Sequence, residues 1–190
     1  MLFLEPHARW LLLVHAVLGA ALVASATHLV IWTRGWMRGH YARPRGVRWF
    51  GAIVATLYLL QFGLGNLIYP VYKVRVRAEH FELMSSVVDD ARARNEARRV
   101  IAERTRAGAV PDEKPADLRP IARLFDVKEH WVALGVPLAL AAFLLSRRTP
   151  TSPLGGRLLF ACAAGAALCA WAGALIGHWV SAVRAVGGIG

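Results

Sequence analysis

Four histidines lie within or at the edges of the longest apolar stretches of the chain: His15, His28, His130 and His178. A neutral imidazole can ligate haem iron or another transition metal, and polar side chains inside membrane spans are often functional. The simpler alternative is that each imidazole hydrogen-bonds a lipid headgroup, a water molecule or a neighbouring side chain. Which of these applies depends on the helices that carry the histidines.

The composition is that of a membrane protein, with 56% hydrophobic residues among 190 and a mean hydropathy of +0.42. A membrane-spanning helix needs about 20 largely apolar residues. The third candidate span reaches that length only if Asp126 caps it and Glu129 lies in its first turn, as in a capping box. The sequence therefore predicts an all-α integral membrane protein with a four-helix bundle. The four candidate spans are residues 10–33, 49–72, 127–146 and 158–183.

The order of apolar and charged segments predicts two transmembrane hairpins, residues 1–72 and 127–190, joined by a charged extramembrane loop, residues 73–126. Within this loop, the stretch from Ser86 to Gly108 is charged around most of its circumference. That pattern predicts a soluble helix that lies on lipid headgroups or on a partner subunit.

The first apolar stretch has a second interpretation, as a cleaved signal peptide. Ala24, Ser25 and Ala26 resemble a signal-peptidase site. The apolar run continues through Trp32 before it meets Arg34, which favours a membrane span.

Charge is distributed unevenly over a chain whose formal net charge is +11. Two short connections carry arginines and no acidic residue, whereas residues 73–128 mix thirteen basic with ten acidic residues. Under the positive-inside rule the short connections are cytoplasmic, and the prediction is a multi-pass protein of the bacterial inner membrane, in contact with anionic lipids. Lys73, Arg75 and Arg77, directly after the second span, favour the opposite orientation. No nucleic-acid motif is present, so nucleic acid is not an expected partner.

Counting along the helices places three histidines at one level. We call the membrane side on which the first helix begins side A and the opposite side, side B. His15 and His178 lie about 7 Å below side A, at 1.5 Å rise per residue, and His130 enters from side A in the first turn of its helix. Gly173 and Gly177 keep the last helix thin for close approach. This pattern predicts haem b held by His15 and His178, with His130 as the rival second ligand or a proton donor.

Other polar residues offer weaker alternatives. Gln61 and Asn66 could hydrogen-bond to another helix or contact a quinone, and His28 has no visible partner near side B. A zinc or iron centre on side A is the alternative site, because carboxylates and imidazoles suit these metals. Neither His-Glu-x-x-His nor Glu-x-x-His occurs. The residues of that metal centre would be Glu79, His80, Glu82, Glu129 and His130.

Residues 14–72 resemble the helical hairpin of small bacterial membrane proteins linked to haem-copper oxidase assembly, and more loosely the four-helix membrane cytochromes b. The shared pattern is a histidine early in one helix, a loop with Tyr41, Arg43 and Arg48, and an aromatic start to the next helix. It covers about a third of the chain. The resemblance implies that His15 is a haem or metal contact, and that the protein acts in respiratory electron transfer or oxidase assembly.

The functional expectation is therefore a haem-b-binding membrane protein that passes electrons to another subunit or to a quinone, or that handles haem during oxidase assembly. The alternative is a cofactor-free structural or assembly subunit that docks a partner through the helix from Ser86 to Gly108.

Overall fold

The computed structural model describes residues 5–74, 77–78, 84–106, 108, 111–112, 119–148, 150 and 152–187. Within these ranges the regular secondary structure is helical and no strand is present. A short 3₁₀ turn at Glu5–His7 leads into the first of five α-helices. They are α1 (Ala8–Met37), α2 (Pro44–Val71), α3 (Met84–Thr105), α4 (Arg119–Ser146) and α5 (Pro153–Gly187).

Four of the helices, α1, α2, α4 and α5, are long and apolar enough to cross a membrane. Their outward faces carry large aliphatic side chains that are more than half exposed, such as Leu13, Leu144 and Leu175. Trp10, near side A, and Trp49, near side B, are also highly exposed, as is usual for tryptophan at a membrane–water interface. These features indicate a multi-pass membrane protein.

The four spans pack in a ring in which α1 contacts α2, α2 contacts α4, α4 contacts α5 and α5 contacts α1. Neighbours in the ring are antiparallel, so α1 and α4 begin on side A, and α2 and α5 begin on side B. Because α5 packs on α1 as well as on α4, packing alone does not divide the ring into the two predicted hairpins. Helix α3 makes only a few contacts with α5.

The core of the ring is built from small residues and a few large ones. Tyr58 of α2 is fully buried, and its hydroxyl donates a hydrogen bond to the backbone carbonyl of Ala166 in α5. Gly135 of α4 lies against the Tyr58 ring, where any side chain would collide with it. The alanines of α5, including Ala163 and Ala170, are buried and allow the helices to approach closely.

The ring is closed at side B by a compact cluster around Trp36. Its side chain is fully buried, and the indole N–H donates to the Ala42 carbonyl at 2.8 Å. Gly156 at the start of α5 packs directly on the Trp36 carbonyl. Tyr41 reaches the other side-B connection by donating to the Ser152 carbonyl at 3.2 Å. These contacts hold the two short connections together.

Several predicted boundaries differ from the structure. Helix α4 begins at Arg119, so Asp126 lies inside the helix and is not its cap; its carboxylate instead pairs with Arg77 at 2.6 Å. Helix α3 ends at Thr105 and not at Gly108, because Arg106 adopts a left-handed conformation with φ 52°. The assignment of residues 73–126 to an extramembrane loop stays a prediction, since part of this segment lies outside the described residues.

Candidate functional site

His15 of α1 packs against α2. Its Nε2 lies 3.1 Å from Nε2 of Gln61, which fits a hydrogen bond whose direction depends on the imidazole tautomer. Both side chains are partly buried. Gln61 therefore crosses to another helix, whereas Asn66 is exposed and donates to the Phe62 carbonyl of its own helix.

A glycine one turn away on each helix makes this contact possible. Gly19 follows His15 by four residues, and Gly65 follows Gln61 by four, so each pair shares a helix face. The Gln61 amide lies over Gly19, where an added Cβ would be 3.1 Å from its Nε2, and the His15 ring lies over Gly65, where an added Cβ would be 3.5 Å from Cε1. Each of the two helices thus places one polar side chain over a glycine of the other helix.

This pair leaves two buried polar atoms without a partner. His15 Nδ1 and Gln61 Oε1 are inaccessible to solvent and have no hydrogen-bond partner in the described part of the chain. A buried polar atom left unpaired costs about 1–3 kcal/mol. Such an arrangement persists in a native protein when a ligand or an ordered water satisfies the atoms, or when function requires it.

Lys128 of α4 brings a cation to the same level. Its side chain runs over Gly177 of α5, with Nζ 3.1 Å from the point where a Cβ would stand, and its charge acts on the His15 ring. The Phe125 ring lies 5.3 Å from Nζ. Among the described residues no carboxylate forms an ion pair with Lys128; the carboxylate that acts on it belongs to its chain neighbour Glu129. We call His15, Gln61 and Lys128 the polar centre.

Aromatic and charged residues cover the side-A end above the polar centre. Tyr72 stacks on Phe125 with ring centroids 3.7 Å apart, and Tyr69 stacks on the same ring at 6.2 Å. The Tyr72 hydroxyl is buried and also lacks a partner among the described residues. The ion pair between Arg77 and Asp126 lies beside these rings and joins the segment after α2 to α4.

The register of α1 against α5 tests the predicted depth of the histidines. Trp171 of α5 donates its indole N–H to Thr27 of α1 at 3.0 Å, and Gly156 packs on Trp36. Continued toward side A, this antiparallel register brings residues 177–183 level with His15. The depth predicted for His178 fits this register.

The side chains do not face a common gap, however. His178 is exposed on the outer surface of α5, while the His15 ring packs on α2. His130 is exposed as well, and its Nδ1–H donates to the Asp126 carbonyl of its own helix at 2.7 Å. The described arrangement therefore does not fit a haem b held between His15 and His178, or between His15 and His130, within one chain.

The remaining predicted sites have simpler settings. His28 is part of an aromatic cluster near side B, 4.7 Å from the Phe50 ring and 4.6 Å from the Trp32 ring. Glu79, His80 and Glu82 of the alternative metal centre lie outside the described residues. Among the residues that are described, no three His, Cys, Asp or Glu side chains form a group able to hold a metal ion.

Sequence reasoning did not identify Lys128 as part of a site and did not pair Gln61 with His15. The signal for Lys128 was a lysine close to the start of an apolar span, since a charge at such a position usually has a functional partner. The signal for the pair was a polar residue followed four positions later by glycine in each of two consecutive helices.

Comparison with known proteins yields no relative: no family model, no curated protein and no solved structure matches this chain.

Proposed function

We propose that this protein binds the head group of a membrane-soluble quinone at the polar centre and acts in electron transfer in the bacterial inner membrane. The observation that carries the proposal is the pair of buried, unpartnered atoms, His15 Nδ1 and Gln61 Oε1. The hydrogen-bonding capacity of the pair, its depth and the charge beside it all favour such a ligand.

The His15–Gln61 pair offers one donor and one acceptor whichever tautomer is present. If the Gln61 amide donates to Nε2, then neutral His15 carries its proton on Nδ1, a free donor, and the amide oxygen is a free acceptor. If the amide is flipped, the roles of the two free groups exchange. A quinone carbonyl needs a donor, and a quinol hydroxyl can use both groups. The pair therefore suits either redox form.

The depth of the pair favours a ligand that arrives through the lipid. His15 lies about 10 Å along α1 from its first residue, at 1.5 Å per residue. A quinone head at this level would have its hydrocarbon tail in the bilayer, beside the exposed apolar faces of the ring.

The charge of Lys128 favours a ligand oxygen that becomes negative. A half-buried ammonium without a carboxylate partner is destabilising by itself. It would stabilise the anionic oxygen of a semiquinone or deprotonated quinol, and its N–H groups can donate to a carbonyl. Lys128 would thus contribute binding energy that depends on the redox state of the ligand.

The test is to purify the protein in mild detergent, extract it with organic solvent and quantify quinone per protein by chromatography. We expect near-stoichiometric quinone in the wild type, and a loss of about tenfold or more in Gln61→Leu, which corresponds to the loss of about one hydrogen bond. Asn66→Leu is the matched control, because Asn66 lies on the same helix but is exposed. Wild-type protein that carries no quinone and binds none when it is added would contradict the proposal and leave water as the occupant.

Haem binding, in electron transfer or in haem-copper oxidase assembly, is the second candidate, favoured by the matched depth of His15 and His178. It requires the exposed His178 to turn inward or to meet a second copy of the chain. The same preparation tests it through its absorption spectrum, oxidised and then reduced. A Soret band that changes in His178→Ala but not in His28→Ala would support haem, and its absence would remove this candidate.

A cofactor-free assembly subunit is the third candidate, and the few contacts of α3 with the ring favour it. The charged surface of α3 is then available to another protein. Deletion of residues 84–105 should abolish co-purification of a partner while it leaves quinone content unchanged. An unaltered set of co-purifying proteins would exclude this role.

A further inference from the structure

The side-B end of the bundle carries positive charge and no negative charge. No aspartate or glutamate occurs between residues 6 and 78 or after residue 129, so the absence of acid at this end is a property of the whole sequence. All the arginines at this end are exposed, and none has an ion-pair partner among the described residues. We call this set the arginine face: Arg34, Arg38, Arg43, Arg45, Arg48, Arg147, Arg148 and Arg157.

The arginine face is held as one surface by contacts between its two connections. The hydroxyl of Tyr41, in the first connection, donates to the carbonyl of Ser152, in the second. Gly156 packs on the backbone of Trp36, which places the start of α5 against the end of α1. The positive charges of the two connections therefore add at one place and cannot separate without loss of the cluster around Trp36.

Apolar surface lies directly below these charges. Ile31 precedes Arg34 by three residues on α1, so it lies one helical turn deeper on a neighbouring part of the same helix. Leu144 lies in the last turn of α4, just before Arg147 and Arg148, and both apolar side chains are well exposed. The guanidinium of Arg43 lies 5.7 Å from the Trp32 ring, and that of Arg147 lies 5.6 Å from the Phe143 ring. The surface is thus cationic at its rim and apolar one turn inward.

We propose that the arginine face binds anionic phospholipids, with the lipid phosphate on the guanidinium groups and the acyl chains on the apolar side chains one turn deeper. Arginine donates paired hydrogen bonds to phosphate oxygens, and arginine stacked on an aromatic ring keeps these donors oriented. Free phosphate would use only the rim of this surface, whereas a lipid uses both parts. The binding surface is at the opposite end of the bundle from the polar centre and does not depend on the quinone proposal.

The experiment is native mass spectrometry of the detergent-solubilised full chain titrated with phosphatidylglycerol or phosphatidylcholine. We expect the wild type to bind phosphatidylglycerol in preference to phosphatidylcholine. In the double variant Arg147→Gln with Arg148→Gln, the affinity for phosphatidylglycerol should fall by about fivefold for each arginine removed. The matched control is Arg104→Gln, in the last turn of α3, with Arg106→Gln, directly after that helix. It changes the net charge equally and should bind lipid as the wild type does. Thermal unfolding without added lipid confirms that both variants fold.

Three results would overturn the proposal. Equal binding of the two lipids would show that charge does not select the ligand. An equal loss of phosphatidylglycerol in the α3 control would show that only net charge matters. Displacement of the lipid by inorganic phosphate at similar concentration would show that the acyl chains contribute nothing, and that the surface is a phosphate site. Quinone content should stay at the wild-type level in the Arg147 and Arg148 variant, so that the two proposals can fail separately.

Discussion

The two ends of the membrane bundle differ in whether their buried polar side chains have hydrogen-bond partners. Near side B, the described polar side chains in the interior have partners: the Trp36 indole donates to Ala42, Thr33 to the Leu29 carbonyl at 2.8 Å, and Ser146 to the Phe143 carbonyl at 2.7 Å. The buried side-chain atoms that lack a partner in the described part of the chain all belong to residues nearer side A. They are His15 Nδ1, Gln61 Oε1 and the Tyr72 hydroxyl.

The charges follow the same division. Side B carries eight arginines, whereas the rest of the chain carries the other fifteen basic residues and all twelve acidic ones. The side-B end is thus closed by packing and carries charge of one sign. The side-A end keeps unsatisfied polar atoms next to a half-buried lysine. Local arrangements that lower stability are expected where a protein binds or reacts, so the difference supports the quinone site proposed near side A.

The largest expected effect concerns the orientation of the two ends. After replacement of Cys162 and Cys169 by alanine, single cysteines at His40→Cys and Glu103→Cys report on sides B and A. Because the acid-free connections should be cytoplasmic, a membrane-impermeant maleimide added to intact cells should label only Glu103→Cys. Labelling of His40→Cys alone would reverse the orientation and show that the basic residues after α2 dominate the topology.

The next effect concerns the packing of side B. Gly156→Ala places a methyl group against the Trp36 carbonyl, with no flexible side chain to yield. Overpacking of this kind costs about 1–3 kcal/mol, so thermal unfolding in detergent should shift down by several degrees. Gly63→Ala is the control, because nothing lies within 4 Å of the added atom. Equal stability of the two variants would mean that the side-B cluster is not closely packed.

Replacement of polar by apolar side chains should change the free energy of unfolding in opposite directions at the two ends of the bundle. In ligand-free protein, the double variant His15→Leu with Gln61→Leu removes both unpartnered atoms and should raise the free energy of unfolding by about 1–3 kcal/mol. Trp36→Phe removes a satisfied hydrogen bond and should lower it by about 1 kcal/mol. Denaturant unfolding measures both. Destabilisation by the double variant would show that the polar centre is a structural hydrogen bond and nothing more.

The smallest effect concerns the ion pair at the side-A end of the bundle. The side chains of Arg77 and Asp126 are 25% and 38% exposed, so solvent screens their attraction. A double-mutant cycle with Arg77→Met and Asp126→Asn should give a coupling energy below about 1 kcal/mol. A coupling well above that value would make this pair a structural clamp and weaken the contrast between the ends.

The spans were predictable because membrane insertion is governed by composition over a long window. Their ends were not, since helices continue into charged flanks: α4 begins at Arg119 although its charge-free part begins at Trp131. The depth of His15 and His178 followed from helical rise alone. Their orientation did not, because it depends on which face of each helix packs, and the small residues that set it, such as Gly19 and Gly65, were informative only once α1 and α2 were placed side by side.

The most direct test of the central claim is a high-resolution density map of the protein with bound quinone. We predict a planar ring whose oxygen lies about 2.7–3.2 Å from His15 Nδ1, with the Lys128 ammonium directed toward the same head group. An ordered water bonded to both His15 Nδ1 and Gln61 Oε1, with no ring density near them, would contradict the assignment of ligand binding to this end of the bundle.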